Sequence, residues 1–184
     1  MKNEGIKSKM VKRFRVTTQQ SEKPSFVAPD LIQQDFTAHE PNEAWVSDIT
    51  YISTLEGWVY CAMILDLFSR KIIGLSLDIR MTADLVVRAL RQALTHRRPP
   101  AGIVHHSDRG AQYTSRALKT LADNYGVQLS MGKIANACDN AVAESFFHTL
   151  KTELVYFKQY KNLEEAQMSI FQYVFGFYNQ TRRH

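Results

Sequence analysis

Three carboxylates stand where a charged group needs a reason. Asp48 interrupts the apolar stretch WVSDITYIS, Asp108 follows the short run IVHHS, and Glu144 lies within DNAVAESFFHTLKTEL. Hard divalent cations such as Mg²⁺ take oxygen ligands and keep several of their waters. Two such metals roughly 4 Å apart can clamp the attacking and leaving oxygens of a phosphodiester displacement. Carboxylates supply the ligands, and neighbouring cations hold the phosphate backbone. Lys151 and Arg109 are the basic residues nearest the three acids in the sequence pattern. Taken singly, a strand-end aspartate is a turn residue and a helical glutamate a solvated one. The chemical reading therefore requires Asp48, Asp108 and Glu144 to converge within a few ångströms.

Other polar residues have plainer roles. His105 and His106 are adjacent on a strand, so they point to opposite faces and do not share a metal. One is expected to be packed and one to lie near the site. Asp66 is either a hairpin-turn residue or a peripheral neighbour of the site. Asp139 suits the free N–H groups at a helix start. Asn140 is either an early helix residue or a neighbour of the site, and His148 is either a site residue or a solvated histidine. Cys61 and Cys138 lie far apart and outside any C-x-x-C pattern, which implies neither a disulfide framework nor a zinc module.

The elements that must position these residues are read from periodicity. WVSDITYIS, the almost wholly apolar WVYCAMILDL and SRKIIGLSLD are three strands, the last two forming a hairpin. In TADLVVRALRQALTHR the period changes, with Leu85, Val86, Ala89, Leu90, Ala93 and Leu94 at helical spacing after an N-cap at Thr82. IVHHS is a fourth strand, SRALKTLADNYG a second helix closed by Gly126, and VQLSM a fifth strand. DNAVAESFFHTLKTEL and LEEAQMSIFQYVFGFYN are two further helices. The stripe Phe171, Val174, Phe175 and Tyr178 on the last of these reads as core, with a contact between copies of the chain as the alternative. Hairpin strands followed by alternating strands and helices imply an α/β fold with a mixed sheet and helices on its faces. In such a sheet the first and fourth strands can be neighbours, which would join Asp48 to Asp108.

The third helix can be checked by angle. At about 100° per residue counted from Glu144, His148 falls at about +40°, Lys151 at about −20° and Asn140 at about −40°. Ala143, Phe147, Leu150 and Leu154 lie between about −60° and −120°. A polar stripe thus borders an apolar one, and Glu144 looks along the surface toward the strand ends.

The chain of 184 residues carries a net charge of +5 and a pI of about 9.2, which permits DNA as a partner. Residues 1–15 hold Lys2, Lys7, Lys9, Lys12, Arg13 and Arg15 against Glu4 alone. Residues 1–43, polar and interrupted by Pro24, Pro29 and Pro41, read as a basic arm and linker before a core spanning 44–184. No apolar run is long enough to span a membrane, and the first residues lack the apolar segment of a signal peptide. A reducing cytoplasm is the expected compartment.

The stretches WVSDITYI, HSDRGAQYTS and DNAVAESFFHTLKTEL together resemble the insertion-sequence transposases of the retroviral-integrase (DDE) superfamily. The 35 residues between Asp108 and Glu144 match that family's Asp–Asp–35–Glu spacing, and YNQTRRH resembles its closing Tyr-Asn-x-x-Arg-x-His segment. The resemblance covers about Pro41 to His184. It implies a ribonuclease-H-like fold with a five-stranded mixed sheet flanked by helices, and two Mg²⁺ or Mn²⁺ ions bound by Asp48, Asp108 and Glu144. It implies metal-dependent cleavage and strand transfer at transposon ends, with Lys151, Arg109, His148, Asn140 and Lys133 touching DNA. Gly110 would serve a close backbone approach or a positive φ. Partners would be transposon and target DNA and further copies of the chain, at the nucleoid of a bacterium. The family's aromatic residue before DNAVAES is replaced here by Cys138, in MGKIANAC. The same resemblance implies that residues 1–43 would be the remnant of a link to a helix-turn-helix region and that the C-terminus would be shortened. Two alternatives stay open at this point: a ribonuclease-H-like nuclease, and a decayed, catalytically weak fragment that only binds DNA.

Overall fold

The strand WVYCAMILD is apolar on both sides because it lies near the middle of a sheet covered on both faces. This computed structural model describes residues 26–132 and 140–181. Its strands are β1 (Ala44–Thr54), β2 (Gly57–Asp66), β3 (Ile72–Asp78), β4 (Val104–Ser107) and β5 (Gln128–Met131). They form one sheet in the order β3-β2-β1-β4-β5. The pairs β1–β2 and β2–β3 are antiparallel, while β1–β4 and β4–β5 are parallel. This is the mixed sheet expected from the sequence, with the first and fourth strands adjacent.

Two apolar layers sandwich the sheet. Val59, Cys61, Met63 and Leu65 of β2 point into one layer, and Ala62 and Ile64 into the other. The second layer is closed by α1 (Ala83–Arg97) and α2 (Arg116–Asn124), through Leu85, Val86, Ala89, Leu90, Ala93, Leu94, Leu118 and Leu121. All six apolar positions expected of α1 are buried. Thr82 is its N-cap by backbone position, but its side chain makes no capping hydrogen bond. At α2 Ser115 does cap, accepting from the Leu118 N–H at 3.3 Å. Gly126, with φ +66°, turns the chain into β5.

The first layer is closed by α3 (Ala141–Glu153) and α4 (Leu163–Phe171), through Ala143, Phe146, Phe147, Leu150, Ala166 and Ile170. A 3-10 turn at Val155–Phe157 separates them. The fourth helix was expected to run regularly to Asn179. Instead it widens into a π-helical stretch over Gln172–Tyr178. Val174 and Tyr178 are buried as expected of the stripe, while Phe171 and Phe175 are half-buried against the same core. The wider turn delivers Asn179 to the edge of the sheet. Its carboxamide accepts from Ile72 N at 2.9 Å and donates to Ile72 O at 2.8 Å, pairing with the edge strand β3 as another strand would.

Most of the described part of the expected linker is exposed or half-buried, but two of its residues are anchored in the core. Ala28 and Ile32 are buried, Leu31 N donates to Ser130 Oγ at 2.9 Å, and Met131 N donates to Pro29 O at 3.2 Å. Prolines erase periodicity there without preventing burial, so the core packing extends back to Phe26. The first part of the arm, residues 1–25, lies outside the described residues.

Candidate active site

The parallel pairing of β1 with β4 sets Trp45 against His105 and Val46 against His106. Carried two residues further, that register brings Asp48 level with Asp108. The ladder ends before reaching them, because β4 stops at Ser107 while β1 continues to Thr54. A cavity opens where the two chains part. It measures about 200 Å³ and is lined by Asp48, Asp108, Gly110, Gln112 and Tyr113, with Thr50, Tyr51, Tyr60 and Met81 among its other walls. Such a crevice at the carboxyl ends of parallel strands is where α/β sheets commonly bind ligands.

The electrostatics are those of crowded like charges. Burial pushes the Asp48 carboxyl up to about 7, the charges of Asp108 and Glu144 add to this, and the Ile49 N–H and Lys151 oppose it. The Ile49 N–H donates to Asp48 Oδ1 at 2.7 Å. Asp108 keeps solvent contact at the cavity mouth, yet protein atoms crowd its carboxyl enough to raise its pKa as well, against the lowering effect of the Gly110 N–H. That N–H donates to Asp108 Oδ1 at 2.9 Å. Gly110 has no positive φ, so the close approach is what requires glycine. A Cβ there would meet Asp108 Oδ1 at 3.0 Å and Gln112 Oε1 at 3.2 Å.

Glu144 sits in the first turn of α3, exposed. Its position is fixed through Asn140, the helix N-cap residue, whose Nδ2 donates to Ser47 O at 3.0 Å, one residue before Asp48. Asn140 is thus both an early helix residue and a neighbour of the site, and its Oδ1 is buried without a hydrogen-bond partner. The three carboxylates are not assembled equally. Glu144 is near enough for its charge to act on Asp48, but it does not line the cavity. Among the described residues no three His, Cys, Asp or Glu side chains form a ready metal-holding group. Mutual repulsion favours this, since an uncompensated third carboxylate is better hydrated outside.

Lys151, two turns along α3, is half-buried beside Asp48, with its Nζ 4.8 Å from the centre of the Tyr51 ring. Burial lowers its pKa, opposed by Asp48 and Cys61. Arg109 does not reach into the cavity through Nε, which donates to Gly132 O at 2.7 Å and ties the Asp108 loop to the end of β5. His148 is exposed on α3. Lys133, Cys138 and Asp139 lie outside the described residues.

His105 and His106 are both buried. His106 Nδ1 bonds Ser130 Oγ at 2.8 Å, and the ring of His105 lies 6.5 Å from that of Tyr113. Asp66 holds its hairpin turn by accepting from Ser69 N at 3.2 Å and from Asn42 N at 3.0 Å. Sequence reasoning missed Tyr113. It is fully buried, its hydroxyl 3.0 Å from Ser47 Oγ, and burial followed by the charges of Asp48 and Asp108 raises its pKa well above the ordinary value. The only signal was a tyrosine five places after Asp108 in DRGAQYTS.

Models of the integrase core domain match residues 38–137 and 144–184 of this chain. The chain belongs to the integrase core domain family. It is 41% identical to the insertion element IS600 uncharacterized 31 kDa protein of Shigella sonnei, over 97% of this chain and 65% of that protein. It is 37% identical to transposase InsF for insertion sequence IS3A of Escherichia coli (strain K12), over 100% of this chain and 64% of that protein. The chain therefore spans just under two thirds of the length of these curated relatives. Among solved structures, the simian T-cell lymphotropic virus intasome superposes with a TM-score of 0.62 at 17% identity, over 84% of this chain and 53% of that one. The catalytic core domain of BIV integrase gives 0.56 at 19% identity, over 78% and 87%. These likenesses place the fold with the ribonuclease-H-like integrase cores. Among the described residues no helix is long and apolar enough to cross a membrane.

Proposed function

We propose that this chain is the catalytic core of a DNA transposase, in which Asp48, Asp108 and Glu144 hold two Mg²⁺ or Mn²⁺ ions. The observation that carries this reading is the aspartate pair: one carboxylate on β1 and one just past the parallel strand β4 line one cavity, where burial raises the pKa of both and the charge of Asp108 raises that of Asp48 further. The donor set fits a hard divalent cation, because it offers charged oxygens whose crowding a cation would relieve. When bound, such ions would polarise the scissile phosphate and the attacking hydroxyl. The chain's own groups do the rest. Gly110 N–H orients the Asp108 carboxylate, Asn140 sets the start of α3 against β1, and Ser47 with Tyr113 fixes the strand beneath Asp48. Lys151 and Arg109 supply positive charge for the DNA backbone, and His148 on the same helix as Lys151 offers a further contact; Lys133, outside the described residues, is assigned to DNA by sequence alone. The reaction is cleavage at element ends followed by attack of a 3′-hydroxyl on a second phosphodiester. DNA and further copies of the chain are the partners, and the bacterial cytoplasm the setting.

The test is strand breakage and joining on labelled branched DNA in Mn²⁺ and Mg²⁺. Asp48→Asn, Asp108→Asn and Glu144→Gln should each reduce the rate by at least about 10³-fold, as loss of a group acting only in the transition state does. Activity surviving in these variants overturns the assignment. Salt-sensitive DNA binding without strand chemistry would favour the decayed-fragment reading.

A further inference from the structure

The tip of the β1–β2 hairpin presents two large aromatic rings to solvent beside the acid cavity. Trp58 is 50% exposed and Tyr51 37% exposed, whereas Trp45 on the same sheet is fully buried. Tyr51 pairs across the strands with Tyr60, and Trp58 stands two residues before Tyr60. Tyr51 and Trp58 are therefore diagonal neighbours on one face, and their rings meet edge to face at 5.0 Å. The ladder beneath them continues unbroken to Thr54 and Gly57, so the pair is carried on rigid backbone rather than on a loop.

We propose that the Tyr51–Trp58 pair is a stacking shelf for an unpaired nucleobase of the DNA strand, next to the phosphate held at the acid site. This inference rests on the reading of the chain as a DNA strand-transfer core. Two observations, together with the chemistry of a nucleic acid strand, select a base as the occupant. Tyr51 and Tyr60 are walls of the same cavity as Asp48 and Asp108, so the shelf is continuous with the site. The Lys151 ammonium lies 4.8 Å over the Tyr51 ring and also acts electrostatically on Asp48, so the acid site and the aromatic pair share one cation. A strand of nucleic acid alternates anionic phosphates with flat rings, and that alternation matches acid site, cation and shelf in turn. An apolar protein partner would leave the ammonium uncompensated at its border. Aromatic platforms beside positive charge are how proteins hold unpaired bases without reading their sequence.

The experiment measures affinity by fluorescence anisotropy with the whole chain, in Ca²⁺, on two branched DNA probes. One carries an unpaired thymine beside the branch phosphate and the other an abasic residue there. The parent should bind the thymine probe about 5- to 150-fold more tightly, the range expected for one stacked base. Trp58→Ala should bring that ratio close to one, and Trp58→Phe should keep most of it. An unchanged ratio in Trp58→Ala overturns the shelf. So does an equal loss on both probes, or a change confined to self-association in sedimentation. A folded parent that neither binds nor breaks branched DNA would overturn the proposed function, and the shelf with it. Strand breakage that persists in Trp58→Ala with an unaltered ratio would overturn the shelf alone.

Discussion

Asp48 is pushed up to about 7, first by burial and then by the neighbouring acids. Unfolded, its pKa is about 3.9, so the folded chain binds this proton more tightly than the unfolded chain does. Its contribution to stability is therefore largest at acid pH and is lost as pH rises from about 4 to about 7. Without divalent metal, Asp48→Asn should be more stable than the parent at pH 8. The gain should be about 2–3 kcal/mol by urea denaturation, after allowing for partial solvent contact. Mg²⁺ should raise the parent's melting temperature and leave that of Asp48→Asn nearly unchanged. His105 has the opposite sign. Burial lowers it to about 4 from about 6.5, so its contribution is present above pH 6.5 and lost as pH falls through that window. His105→Phe should gain on the parent steadily between pH 6.5 and 4 in the same titration. At Gly110, alanine should leave stability within about 0.5 kcal/mol, since its φ is ordinary. It should slow strand breakage by about 10-fold or more, because the added Cβ crowds the Asp108 carboxylate.

At the scale of elements, two contacts decide how the layers sit on the sheet. Gly74 of β3 lies under α1, and a Cβ there would meet Ala89 O at 2.3 Å. Gly74→Ala should cost about 1–3 kcal/mol in a denaturant midpoint, with the slope unchanged, as overpacking does. Asn179→Leu removes both bonds to Ile72 and leaves that backbone pair unmet, which should cost about 1–3 kcal/mol. The strands and the buried stripe of α1 were legible because period 2 and period 3.6 are written directly in side-chain polarity. The π-helical stretch at Gln172–Tyr178 was not, since a five-residue hydrogen-bond step leaves no separate mark in that pattern. The burial of Ala28 and Ile32 was hidden for a similar reason, because they enter the two core layers as single residues without any repeat.

The whole molecule brings together residues that lie 60 and 36 positions apart, from Asp48 to Asp108 and from Asp108 to Glu144. Placement of the carboxylates on a strand, after a strand and on a helix was readable from the chain, and the spacing carried a family resemblance. The unequal assembly was not, because it depends on how like charges share a cavity rather than on sequence order. Tyr113, Asn140 and Ser47 show the same limit, since their bonds cross between β1, the Asp108 loop and α3. A metal held by Asp108 during DNA strand chemistry makes the reaction sensitive to the softness of the ligand at that position. Asp108→Cys replaces a hard oxygen with a softer sulfur, which Mg²⁺ disfavours and Mn²⁺ tolerates better. Strand breakage by the variant should be lost in Mg²⁺ and recovered by at least about 10-fold in Mn²⁺, relative to the parent's own Mn²⁺ to Mg²⁺ ratio. Full activity of Asp108→Cys in Mg²⁺ would contradict a metal at this carboxylate.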